Sequence, residues 1–130
     1  MTAYEYVRNA GGITFDDFYQ YNTSARTCDY SKLDYTVTVT NNYAVWGEQT
    51  MMNHVLAGGT LAIVVDATKW GPYRRGIFSS CTKNLTINHA VNIVGVNIEG
   101  GYWVIRNSWG TWWGDNGYIK LALVSTLSPS

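Results

Sequence analysis

A chain of 130 residues has the size of one domain, or a large piece of one, and can bury about two-thirds of the surface its unfolded form exposes. Apolar residues make up 46% and charged residues only 14%, against about 25% in an ordinary globular protein, which excludes a disordered chain. Nine basic residues cancel nine acidic ones, no basic run exceeds Arg74-Arg75 and no apolar run nears the roughly 18 residues of a membrane span. Nucleic-acid binding and membrane insertion are therefore set aside, and the chain reads as soluble.

The polar, Tyr-rich start does not read as a signal peptide. Thr2-Ala3-Tyr4-Glu5 has the spacing of a capping box, predicting a short helix over 3–10 that Gly11-Gly12 ends. Phe15, Phe18, Tyr19 and Tyr21 follow without helical or strand period, so residues 13–34 read as an ordered loop anchored by aromatics. Tyr35 to Thr40 alternates apolar residues with threonine and predicts a half-buried strand. After Asn41-Asn42, a helix over 47–57 gathers Met51, Met52, Val55 and Leu56 on one face, leaves His54 solvated and stops at Gly58-Gly59.

Leu61 to Val65 is a continuous apolar strand, and Trp70 to Phe78 reads as surface loop with an aromatic anchor. Strands over 90–96, 102–106 and 118–123 complete the pattern, with Asn97 to Gly101 as a hairpin connection in which Gly100 and Gly101 supply positive φ. Ser125 to Ser130 is a polar tail expected to fray. One good helix on a mostly antiparallel sheet makes this an α+β arrangement rather than an alternating one.

The chemistry concentrates in Asn88-His89-Ala90-Val91 and Arg106-Asn107-Ser108-Trp109-Gly110. A hairpin between them returns Asn107 to the level of His89. A neutral imidazole accepts a proton near pH 7 and serves as a base when its other nitrogen is held; the Asn107 carbonyl can hold it without adding a charge, and Trp109 can cover that bond from water. The bland alternative is a satisfied strand histidine beside a tight turn.

Cys28 and Cys81 can pair with each other, pair elsewhere or stay free, and spacing does not choose. Neither opens a helix that would lower a thiol pKa. With two histidines and no acidic cluster at ligand spacing, no metal site or cofactor is expected. The sequons Asn22-Thr23-Ser24 and Asn84-Leu85-Thr86 are glycosylation acceptors in a secreted protein.

Asn88-His89-Ala90-Val91 with Gly95, then Asn107-Ser108-Trp109-Gly110-Thr111-Trp112-Trp113-Gly114-Asp115-Asn116-Gly117-Tyr118, resembles the papain and cathepsin family of cysteine proteases, as does Arg75-Gly76-Ile77-Phe78 ahead of Cys81. The resemblance covers residues 2 to about 123 and corresponds to the C-terminal three-fifths of a mature member. It implies a papain-like fold in which residues 1–34 form a helix and loop packed on a missing N-terminal domain, and 35–130 form a barrel-like right-hand β domain. It implies His89 as general base and acid, Asn107 as its orienting partner and Trp109 as shield. Val64, Ile87, Asn88 and Ala90 would line the pocket for an aliphatic or aromatic side chain two residues before the scissile bond.

The family's nucleophile lies in a Cys-Gly-Ser-Cys-Trp-like stretch, and neither that motif nor the oxyanion-hole glutamine occurs here. Both cysteines fall at places that are structural in the family. The resemblance therefore implies the heavy chain, or a partial sequence, of a papain-like cysteine endopeptidase, inactive by itself. A second polypeptide or missing N-terminal segment would supply the thiol, the substrates would be peptides and proteins, and the location lysosomal, vacuolar or secreted. The alternatives are a catalytically inactive homologue acting as a binding or assembly module and, further off, an intact protease with an unrelated nucleophile.

Overall fold

The computed structural model describes residues 2–24, 27–32, 37–80 and 84–124, which divide into two compact units, residues 1–44 and 45–130. In the first, α1 spans Thr2–Ala10, with Glu5 in its first turn and Arg8 in its last, the order the helix dipole favours. Gly11, at φ 93°, donates to the Arg8 carbonyl at 3.2 Å and ends it. The expected capping hydroxyl belongs to the Thr2 side chain, outside the described set.

Of the loop aromatics, only Tyr19 is held: it is half-buried and its hydroxyl accepts from the Asp29 N–H at 2.8 Å. Phe15, Phe18 and Tyr21 are exposed, so the aromatic anchoring expected of this loop reduces to one residue. Tyr35 and Thr36 of the expected 35–40 strand lie outside the described residues. Over 37–40 the chain forms no strand, because among the described residues Val37 finds a single partner, bridging Ile13 through bonds of 2.8 and 3.0 Å. Alternation favours a strand only where a neighbour supplies a ladder.

The second unit begins with α2, Glu48–Leu56, which turns Met52 and Val55 into the core. Leu56, expected on that face, is exposed at the edge of the stripe. The helix ends as a Schellman turn: Gly58, at φ 91°, donates to the Val55 carbonyl at 3.0 Å and Gly59 to the His54 carbonyl at 3.2 Å. His54 is half-buried rather than solvated, its ring lying where a Cβ on Gly59 would fall.

The strands are β1 (Leu61–Val65), β2 (Ile77–Phe78), β3 (His89–Asn97), β4 (Tyr102–Arg106) and β5 (Tyr118–Ala122). They form a sheet in the order β1-β3-β4-β5-β2, antiparallel except for β2 beside β5. The order is open rather than closed into a barrel among the described residues. In the connection after β3, only Gly101 takes positive φ; the Asn97 side-chain Oδ1 accepts from the Gly100 N–H at 2.7 Å. The short β2 was hidden in what reads as surface loop, too brief to show a period.

One face of the sheet builds the core. Val91, Ile93, Trp103, Ile105 and Ile119 alternate inward along β3, β4 and β5, and Trp70, Tyr73, Trp113 and Leu123 close over them. Trp70 is 1% exposed. It lies at the centre, not in the surface loop its Gly-Pro neighbourhood predicts. Cys81 and the tail 125–130 lie outside the described residues.

Candidate active site

The His89–Asn107 pair is made by the β3–β4 hairpin. Asn92 pairs with Arg106, and β4 then ends, so Asn107 leaves the ladder beside the start of β3. Its N–H still donates to the Gly117 carbonyl at 3.0 Å, which fixes its backbone against the Trp-Gly turn. Its side chain turns to the histidine, with Oδ1 2.7 Å from His89 Nε2. The Ser108 N–H donates to the same Oδ1 at 2.8 Å.

That second bond decides the first. A backbone N–H requires an acceptor, so the atom it meets is the amide oxygen, and the imidazole nitrogen facing that oxygen must be the donor. The neutral ring therefore carries its proton on Nε2 and its lone pair on Nδ1. Asn107 is 9% exposed, and its Nδ2 is buried with no hydrogen-bond partner among the described residues.

Aromatic rings fix the plane of the imidazole. Trp109 stacks on it with ring centres 5.0 Å apart at 29°, and Trp70 meets its edge at 6.3 Å and 90°. Behind them Trp113 packs edge-on to Trp109 at 5.0 Å and stacks on Trp70 at 6.3 Å. The Trp113 indole N–H donates to the Trp70 carbonyl at 3.2 Å. Each such ring pair adds about 0.5–1.5 kcal/mol beyond the area it buries, so the wall behind the histidine is stiff.

The pocket residues divide. Val64 and Ile87 share a hollow of about 400 Å³ with Val65, Trp70, Phe78 and Leu121. Ala90, opposite Val64 in the β1–β3 ladder, lines a second hollow of about 400 Å³ with Asn92, Arg106 and Asn107. The Asn88 side chain lines neither and is taken up in bonds to Ala67 and Thr68.

Cys28 is exposed and forms no disulfide among the described residues. No group of three or more His, Cys, Asp or Glu among them is placed to hold a metal, and no helix is long and apolar enough to cross a membrane.

The sequence pattern of the papain family cysteine proteases matches residues 1–126. The chain belongs to the papain family of cysteine proteases. A viral cathepsin of Adoxophyes honmai nucleopolyhedrovirus is 36% identical over 124 residues, covering 92% of this chain and 36% of the relative. A cathepsin L-like proteinase of Fasciola hepatica is 38% identical over 126 residues, covering 92% of this chain and 38% of the relative. Among solved structures, the bromelain protease of Ananas comosus in complex with the E64 inhibitor superposes with a TM-score of 0.81 at 30% identity, covering 94% of this chain and 59% of that one. The papain-like fold is thus common to both, and the chain spans little more than a third of the length of these curated relatives.

Two features around these residues were not legible in the sequence. One is the layer of Trp70 and Trp113 under the imidazole, whose members lie 43 residues apart. The other is Asp66 with Thr68 and Thr86. Its signal was the run Asp66-Ala67-Thr68 directly after a strand, a spacing at which a carboxylate accepts from the backbone two residues on.

Proposed function

We propose that this chain is the histidine- and asparagine-bearing part of a papain-like cysteine endopeptidase, whose nucleophilic cysteine and oxyanion donor come from a segment outside this sequence, either a second chain or the rest of a longer protein. The observation that carries the reading is the His89 Nε2–Asn107 Oδ1 bond of 2.7 Å under Trp109. With Nε2 engaged, Nδ1 is the nitrogen that exchanges protons with the thiol. The thiolate attacks the peptide carbonyl, His89 gives its Nδ1 proton to the leaving amine as the thioester forms, and the same nitrogen then takes a proton from the water that hydrolyses it.

Asn107 holds the imidazole through this cycle without fixing a negative charge beside it, and Trp109 keeps water from their bond. The buried Nδ2 of Asn107 is a donor that seeks an acceptor, in keeping with a further segment meeting the chain here. Residues 1–34 would pack on that segment. Val64, Ile87 and Ala90 would receive an aliphatic or aromatic side chain of the substrate, Asn88 would stand beside them, and the molecule would work in a lysosome or vacuole or outside the cell. By itself this chain is inactive.

The test uses the complete molecule, recovered with whatever polypeptide carries the thiol, and measures hydrolysis of a fluorogenic peptide. His89→Ala is expected to lower kcat by about 10²–10⁴ or more, and Asn107→Ala by less. Undiminished turnover in His89→Ala would remove the mechanism. A fully folded native species of only 14.5 kDa, with no companion segment, would remove the assignment of a second half.

A further inference from the structure

We infer that Asp66, which stands at the hollow lined by Val64 and Ile87, is a positioning residue that ties the two walls together, so that it sets the pocket's selectivity through the placement of Val64 and Ile87. The inference rests on the protease reading above. One wall is the end of β1, Val64 and Val65; the other is the segment Asn84 to Ile87. Val64 is 64% exposed and Ile87 57%, so neither is held in place by packing of its own side chain. Polar links do the holding.

Asp66 follows β1 directly. One carboxylate oxygen accepts from the Thr68 N–H at 3.0 Å, closing a tight turn, and the other accepts from the Thr86 N–H at 3.0 Å, twenty residues along the chain. The Thr68 hydroxyl donates to the carboxylate and accepts from Asn88 Nδ2 at 3.0 Å. Asn88 Oδ1 accepts from the Ala67 N–H at 2.9 Å, and the Asn88 N–H donates to the Val65 carbonyl at 3.1 Å. Ile87 is thus flanked on both sides, at Thr86 and at Asn88, by residues bonded back to the turn that Asp66 organises.

The chemistry calls for a carboxylate. Thr68 N–H, Thr68 O–H and Thr86 N–H are all donors, and an ionised carboxylate offers about four acceptor positions and no proton. An asparagine would have to set an NH2 group against one of those donors. The same bonds, the Thr68 hydroxyl first and then the N–H groups of Thr86 and Thr68, hold the Asp66 carboxyl below the ordinary carboxylate range. The Asn107 bond and the Trp109 face that orient His89 include no residue of the tie, and only Trp70 at the ring's edge adjoins its turn, which predicts that loosening the tie changes substrate choice more than turnover.

The experiment has two arms. Hydrogen–deuterium exchange of the complete molecule, read by mass spectrometry at single-residue resolution, is expected to show the Thr86 and Thr68 amides exchanging about fivefold faster or more in Asp66→Ala, with Ile105 and Ile119 unchanged and Asp66→Asn between the two. In the complete peptidase, Asp66→Ala is expected to raise KM about three- to tenfold for peptides with leucine two residues before the scissile bond, leave kcat within about twofold, and shrink the preference for leucine over alanine there.

Unchanged Thr86 exchange overturns the tie. Faster exchange with equal losses for leucine and alanine peptides overturns the selectivity role. Faster exchange at Ile105 and Ile119 as well marks global destabilisation and also overturns it. A complete wild-type molecule that hydrolyses no peptide, alongside a protected Thr86 amide, sinks the protease reading and not the tie.

Discussion

Residues 2–44 and 45–124 both carry many aromatic side chains, but they place them differently. In the second unit Trp70, Tyr73 and Trp113 are buried in one stack that reaches His89, and Trp103 is buried in the core. In the first, every described aromatic is exposed except the half-buried Tyr19. The cause is architectural. A sheet fixes rows of side chains about 5 Å apart and gives each a neighbour, whereas the nine-residue helix, the one-turn 3-10 helix Tyr30–Lys32 and the isolated bridge described in the first unit offer no second layer to close over a ring. Apolar surface left open on this scale is what another body covers, which agrees with the proposal that residues 1–34 meet a further segment.

The contrast can be broken experimentally. Trp113→Ala removes the centre of the stack and is expected to cost about 3–5 kcal/mol, read as a lower urea midpoint. Gly114→Ala comes next. Its φ of 60° disfavours a side chain, and an added Cβ would lie 2.5 Å from the Tyr118 carbonyl oxygen, so a loss of about 1–3 kcal/mol is expected, with the indole fluorescence of the stack altered. Phe18→Ser, in the first unit, is expected to stay within about 0.5 kcal/mol in the same urea titration. A loss at Phe18 as large as at Trp113 would mean that the two units do not differ as described.

The elements legible from sequence were those with a period and a stop signal. The α2 helix with Gly58-Gly59 and the β1, β3, β4 and β5 strands fall within a residue or two of their predicted limits. Val37 to Thr40 had the period but no partner strand among the described residues, and the ladder did not form. The two-residue β2 had a partner but no room for a period. His89 and Asn107 stood out as a pair because a local hairpin joins them, while the four residues expected to line one pocket divide between two hollows and a hydrogen-bond cluster.

The sequence by itself determined which chemical groups this protein brings to its site and that a hairpin carries them, because turn residues and alternation are properties of neighbouring positions. Tertiary structure alone decided that Nε2 is the donor, that Trp109 and Trp70 hold the ring from face and edge, and that Asp66 reaches Thr86. Those choices join residues 18, 19 or 20 positions apart or more. No periodicity links such pairs, and only the packed sheet brings them within bonding distance.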